Sequence, residues 1–270
     1  MSFPIYSIIP APAALKPIIV SVPHAGTEVP SDIASQLRAD ILQQLPDTDW
    51  FVPELYGFCQ NIGITMIQAR LSRYVVDLNR PMVGSALYSD QRRQTDAMPL
   101  TSFDGVDLYS TDKKPDAAER ERRARLYYQP YHEAVGQLLA EMQKKFKHVL
   151  LFDAHSIRRS VPSLAKAPFA DMIVGDRDGT SAHPDLSQTL LRSLQASSYQ
   201  ISYNQPFKGG QITRAFGSPD KKIHALQLEM SQDVYMNEAR TGLDRNKSQL
   251  VQNLLQNALQ ELAHTLEVLS

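Results

Sequence analysis

Short apolar runs rich in β-branched residues alternate along the chain with longer stretches in which apolar residues recur every three or four positions. Runs of the first kind, PIIVSV (17–22), ITMIQA (64–69), HVLLFDA (148–154), DMIVGD (171–176) and IHALQLEM (223–230), predict strands. Stretches of the second kind predict helices over roughly 31–44, 50–61, 116–146, 184–196 and 238–267. Strands interleaved with helices in this rhythm predict an α/β fold, with a mixed, mostly parallel sheet flanked by helices on both faces.

Between the second strand and the long helix, residues 82–115 have weak periodicity and many turn formers, and predict an irregular excursion of the length that usually carries function. The predicted helix 116–146 mixes arginines with tyrosines, which would suit a nucleic-acid face. Its interspersed acids and its apolar residues Leu126, Val135, Leu138, Leu139 and Met142 instead predict a solvated helix lying on a core, kinked at Pro130. The closing segment is amphipathic through Leu250, Val251, Leu254, Leu255, Leu259 and Leu262, and predicts packing onto the protein's own sheet. No repeat or low-complexity linker divides residues 1–270, so one domain is expected.

Composition narrows the function classes. The 28 Lys and Arg balance 29 Asp and Glu, so no net field draws the chain to nucleic acid or to a membrane surface. Prolines interrupt the N-terminal apolar stretch, and no run approaches the roughly 20 apolar residues of a spanning helix. The single cysteine, Cys59, has no partner for an intrachain disulfide and reads as a buried thiol. A cytoplasmic protein acting on a small molecule at a local site is the expectation.

Candidate chemistry concentrates at strand ends. The first strand runs into SVPHAG and the third into FDAHS, so His24 and His155 arrive at C-terminal strand ends, where open α/β sheets bind ligands. Two imidazoles there suit Zn²⁺, whose catalytic sites take three protein ligands and leave one position open. Asp47, Asp49 and Glu28 are candidates for the third; Asp153, two residues before His155 and on the same side of an extended chain, fits either a ligand or a partner to an imidazole N–H. In ARLSRYVVDLNRP, alternation puts Arg73, Asp77 and Asn79 on one side, and arginine is suited to gripping carboxylates. Arg214 follows the glycine turn Gly209-Gly210, and Glu229 sits in an apolar strand where burial would raise its pKa toward general-base duty.

The segments SVPHAGTEVP, DTDWFVPELY, SRYVVDLNRP, FDAHS, NQPFKGGQITRAFGSP, HALQLEM and YMNE, spanning 21–238, resemble the N-formylglutamate amidohydrolases. That family is similar to the zinc carboxypeptidase and aspartoacylase group, which implies a carboxypeptidase-like, phosphorylase/hydrolase-like fold. The group's histidine, glutamate three residues later and second histidine imply His24 and His155 as ligands. Thr27 stands where the glutamate would be, and the matching DTDW motif puts Asp49 in its place, ahead of Asp47 and Glu28. The resemblance further implies Asn79 and Arg80 as carboxylate binders, Arg73 as the group polarising the scissile carbonyl and Glu229 as general base. Arg214 joins Arg80 as a second cation for an acidic substrate. The implied reaction is zinc-dependent hydrolysis of N-formyl-L-glutamate at the end of a histidine degradation route. Its rivals are an amidohydrolase for another N-acyl acidic amino acid or small peptide, and a metal-free module that binds acidic ligands.

Overall fold

The structure is a computed structural model that describes residues 4–11, 15–82 and 95–269. Positions 83–94 of the predicted excursion lie outside the described residues. Strands β1 (Tyr6–Ile9), β2 (Ile18–Val22), β3 (Thr65–Ala69), β4 (Val149–Ile157), β5 (Met172–Gly175), β6 (Ile201–Tyr203) and β7 (Ile223–Ser231) form one sheet in the order β1-β3-β2-β4-β7-β5-β6. The centre, β3-β2-β4-β7, is parallel; β1 and the β5-β6 pair run antiparallel to it.

From β2 the chain first adds β3 on one side and later β4 on the other, so the winding reverses between β2 and β4. Such a switch point opens a crevice at the carboxyl ends of the two strands. His24 follows one of those ends and His155 lies near the other.

The helices are α1 (Ser31–Ala34), α2 (Ala39–Gln44), α3 (Val52–Leu55), α4 (Ala117–Arg123), α5 (Gln129–Gln143), α6 (Pro184–Gln195), α7 (Gln211–Phe216) and α8 (Arg245–Val268). Both sheet faces are covered. Leu150, Phe152 and Ala154 of β4 pack with α3, α6 and α8, while Val149 and Leu151 pack with α5 and Ile212 of α7. Along α8, Val251, Leu255, Leu259, Leu262 and Leu266 are buried, each contributing roughly 1.5–3 kcal/mol. Among the described residues no helix is long and apolar enough to cross a membrane.

The differences from the sequence expectation have local causes. The helix expected over 31–44 is cut at 35–38 because this segment pairs with the returning excursion: Arg38 N–H donates to Leu108 O (2.9 Å) and Ser110 N–H to Gln36 O (2.9 Å). The helix expected over 116–146 contains a π-helical turn, Ala124–Tyr128, immediately before the Pro130 region, where the missing N–H forbids a regular ladder. The closing helix starts at Arg245 rather than 238 because Asp244 caps it, accepting from Asn246 and Lys247 N–H at 2.9 Å each. Strands β1 and β6 and helix α7 are absent from the sequence expectation: β1 lies between Pro4 and Pro10, β6 is three residues long and α7 six, too short for a helical period to show.

The arginine-rich helix is not wholly solvated. Arg123 is fully buried and donates to Glu119 Oε1 (2.7 Å), Tyr109 Oη (2.9 Å) and Gln36 Oε1 (3.1 Å). It clamps the excursion's return to the broken helix. Cys59 is buried, and burial pushes its thiol up, away from nucleophilic use.

Candidate active site

Pro23 ends β2, and the following turn is drawn against residues 70–72. Glu28 N–H donates to Arg70 O (3.0 Å) and Ser72 N–H to Glu28 O (2.9 Å). A Cβ on Gly26 would stand 2.3 Å from Leu71 O, so only glycine lets the two backbones meet. The same turn holds a third segment, because Asp49 N–H donates to His24 O (3.1 Å). Histidine, aspartate and the approach to Arg73 are thereby tied to one another by backbone contacts.

On β4 the row Val149, Leu151 continues into Asp153 and His155; on β7, Ala225 continues into Gln227 and Glu229. His155 and Glu229 are register partners. Ligand atoms of His24, Asp49 and His155 lie within 4.8 Å of one another. Asp49 Oδ2 is 3.8 Å from His24 Nδ1 and 3.0 Å from His155 Nδ1. Each histidine turns its other nitrogen to a carboxylate: His24 Nε2 lies 2.7 Å from Asp77 Oδ1 and His155 Nε2 lies 3.1 Å from Asp153 Oδ2. Imidazoles that bind metal through one nitrogen are commonly oriented in this way through the other.

Asp77 also binds Arg73, whose Nη2 donates to Asp77 Oδ2 (2.5 Å) while Nη1 donates to Asp47 O (3.3 Å). Asn79 is a strut. Its Oδ1 accepts from Ile212 N–H (2.7 Å), and its Nδ2 contacts Asp153 Oδ2 (3.1 Å) and His155 Nε2 (2.8 Å). Arg80 donates from Nε to Thr95 Oγ1 and from Nη1 to Asn79 O (3.0 Å).

The charges do not balance. With Asp47 set against Arg158 at 3.8 Å, the carboxylates of Asp49, Asp77, Asp153 and Glu229 face the guanidinium groups of Arg73 and Arg80. With the histidines neutral and all four carboxyls ionised, two negative charges would be in excess, which a divalent cation, or protons on His155 and Glu229, would offset. Protons respond to the same imbalance. Burial alone would depress His155, but Asp153 and Asp49 hold it well above the ordinary histidine value. Burial, helped by Asp49, pushes Glu229 up to about 8 against the opposing influence of His155, Arg73 and Arg80. Burial and Arg73 keep His24 below its ordinary value. Two imidazoles and a carboxylate oxygen converging in an anionic pocket form a donor set that fits Zn²⁺.

The N-formylglutamate amidohydrolase family model matches residues 16–236. The chain belongs to that family. N-formylglutamate deformylase of Pseudomonas putida is 37% identical over 248 residues, covering 91% of this chain and 92% of the relative. The enzyme of the same name from Pseudomonas aeruginosa is 38% identical over 249 residues, covering 90% and 92%. The crystal structure of N-formylglutamate amidohydrolase from Ralstonia eutropha JMP134 superposes with a TM-score of 0.82 at 25% identity, covering 97% of this chain and 98% of that one. The protein is an amidohydrolase with the mixed-sheet α/β fold of its family.

In this N-formylglutamate amidohydrolase family member, His24, Asp49, Arg73, Asn79, Arg80, His155 and Glu229 line one cavity, together with Gly210 and Gln227. Arg214, on α7, is half-buried behind the glycine turn, its Nε donating to Gly209 O (3.2 Å), and it is not among the residues lining that cavity. The other carboxylates considered for the third ligand position have separate partners. Glu28 pairs with Arg70 Nη2 (2.5 Å), and Asp47 Oδ2 accepts from Phe103 N–H (2.8 Å). Phe103, Leu164 and Phe207 form cavity walls that sequence reasoning missed, since apolar residues in loops carry no periodic or chemical signal. Gln227 was recoverable, because it alternates with Glu229 on the same strand.

Gly210 marks a close approach: a Cβ there would stand 2.3–2.4 Å from the Asn79 amide. Gly210→Ala is therefore expected to displace Asn79, costing about 1–3 kcal/mol of stability by overpacking and lowering activity. Urea unfolding beside steady-state rates checks this. A variant matching the parent in both would show that the amide has room to yield.

Proposed function

We propose that this amidohydrolase hydrolyses the amide of N-formyl-L-glutamate to formate and L-glutamate, the last step of a histidine degradation route, with Zn²⁺ held by His24, Asp49 and His155. The convergence of those three ligand atoms within 4.8 Å, in the cavity that also exposes Glu229, carries the reading. The names of the relatives supply its substrate.

A zinc ion held there supplies Lewis-acid chemistry, lowering the pKa of water and polarising a carbonyl. Glu229, kept basic by its buried setting, takes a proton from the attacking water and returns it to the leaving glutamate nitrogen. Arg73 donates to the oxyanion that develops on the carbonyl oxygen; one such donor is typically worth about 3 kcal/mol. Asp77 fixes both His24 and Arg73, so the metal ligand and the oxyanion donor share one anchor. Arg80, oriented beside Asn79, grips the substrate carboxylates, while Arg214, behind the glycine turn and outside the cavity lining, adds positive charge at longer range.

Metal analysis of the purified protein, followed by formate release from N-formyl-, N-acetyl- and N-succinyl-glutamate, tests the reading. One zinc per chain and a clear preference for the formyl compound are expected, with activity lost on chelation and restored by zinc. A metal-free protein that binds glutamate derivatives without cleaving them would overturn it. Arg80→Met is expected to raise KM about 10-fold or more with zinc retained, as for loss of a charged hydrogen bond, and Arg214→Met, outside the cavity lining, to raise it less. Zinc loss in either variant would assign that arginine to the frame instead.

A further inference from the structure

The cavity lining divides by chemistry: Asn79, Arg80, Gly210 and Gln227 on the polar side, Phe103, Ile157, Leu164 and Phe207 on the apolar one. A carboxylate buried against the apolar residues would have no partner, so both carboxylates of a glutamyl substrate belong with the polar set. The acyl group is left to the apolar set.

Phe103 is the apolar lining residue whose ring contacts Arg73. Its ring lies over the Arg73 guanidinium, 4.8 Å from Cζ to ring centroid. The backbone is pinned on both sides, with its N–H donating to Asp47 Oδ2 (2.8 Å) and its carbonyl accepting from Ser163 Oγ (2.5 Å). Phe103 also packs against the cluster of Ile157, Val161, Phe169 and Ile173. The ring is a fixed wall. Beyond it lies a second, smaller cavity bounded by Asp47, Thr48, Arg158 and Gln232, which shares Phe103, Ser156 and Ile157 with the first. Phe103 is thus part of the wall common to both spaces.

We propose that Phe103 sets the size of acyl group the enzyme accepts. This rests on the reading above, in which Arg73 meets the scissile carbonyl oxygen. The remaining substituent of that carbonyl, hydrogen in formyl and methyl in acetyl, is bonded to the same carbon, the methyl carbon about 1.5 Å from it and the hydrogen closer. The ring stacked on Arg73 stands beside this substituent. A rigid aromatic wall admits hydrogen and rejects methyl, and one carbon in an apolar pocket is worth about 10- to 200-fold in kcat/KM.

The test measures kcat/KM for N-formyl- and N-acetyl-glutamate with the zinc-loaded wild type, Phe103→Ala and Phe103→Leu. Phe103→Ala is expected to raise the acetyl-to-formyl ratio about 10-fold or more, and Phe103→Leu to raise it less. A parallel loss on both substrates, or an unchanged ratio, would overturn the proposal, since a purely structural role moves both rates together. If Phe103→Ala does not fold, Phe103→Leu and Ser163→Ala, which frees the loop carbonyl, decide by the same ratio. Wild type inactive on N-formylglutamate would sink the underlying reading; wild type active with unaltered ratios in the variants sinks only the assignment of Phe103.

Discussion

Glu229→Gln is expected to lower kcat by about 100- to 10,000-fold while leaving KM and bound zinc nearly unchanged. Glutamine keeps the shape of the side chain and cannot carry a proton between water and the leaving nitrogen. The variant also has a signature in the metal-free protein. Burial raises the Glu229 carboxyl from 4.5 to about 8, so the folded chain holds a proton that the unfolded chain releases. A raised carboxyl pKa makes stability fall as pH rises through the interval from 4.5 to 8 and level off above it. Above pH 8, chelated Glu229→Gln is therefore expected to be more stable than chelated wild type by on the order of a few kcal/mol, and near pH 4.5 the two converge. Urea titrations of both proteins across this range give the difference directly. Parallel curves would mean that Glu229 ionises freely and lacks the buried setting assigned to it.

Asp49→Asn is expected to strip zinc from the protein on dialysis and to remove activity with it. The carboxylate holds His155 Nδ1 (3.0 Å) and the Ser156 N–H (3.1 Å) and contributes the anionic donor of the cluster. Its loss should exceed the roughly 10- to 100-fold fall in zinc affinity expected for Asp77→Asn, which acts through His24. Glu28→Gln, whose partner is Arg70, should leave affinity where it is. Competition with a chromophoric chelator orders the three variants. Stoichiometric zinc in Asp49→Asn would move the third ligand elsewhere.

Asp49 illustrates how unevenly the site can be read from sequence. His24 and His155 announce themselves, because an imidazole at the end of a buried apolar run is a chemical contrast within a few residues. Asp49 has no such contrast with Asp47, two positions earlier; a motif resemblance favoured it, and the fold separates the two by turning Asp47 toward Phe103 and Asp49 toward the histidines. Arg123 lay hidden for the opposite reason. Its neighbours describe a solvated helix, and only the excursion folding back over it buries the guanidinium.

Local chemistry and period were thus enough to determine five of the seven strands, the alternation that makes the sheet mixed with helices on both faces, and the residue types from which an amide hydrolase can be built. Periodicity reports the environment of a residue relative to its near neighbours, and that information is complete within a few turns. Tertiary structure alone decided that residues 106 positions apart share a proton or a metal, that Asp77 serves His24 and Arg73 together, and that a loop phenylalanine closes the cavity over the arginine. Each of these depends on where separate segments dock, which is set by the packing of the whole core.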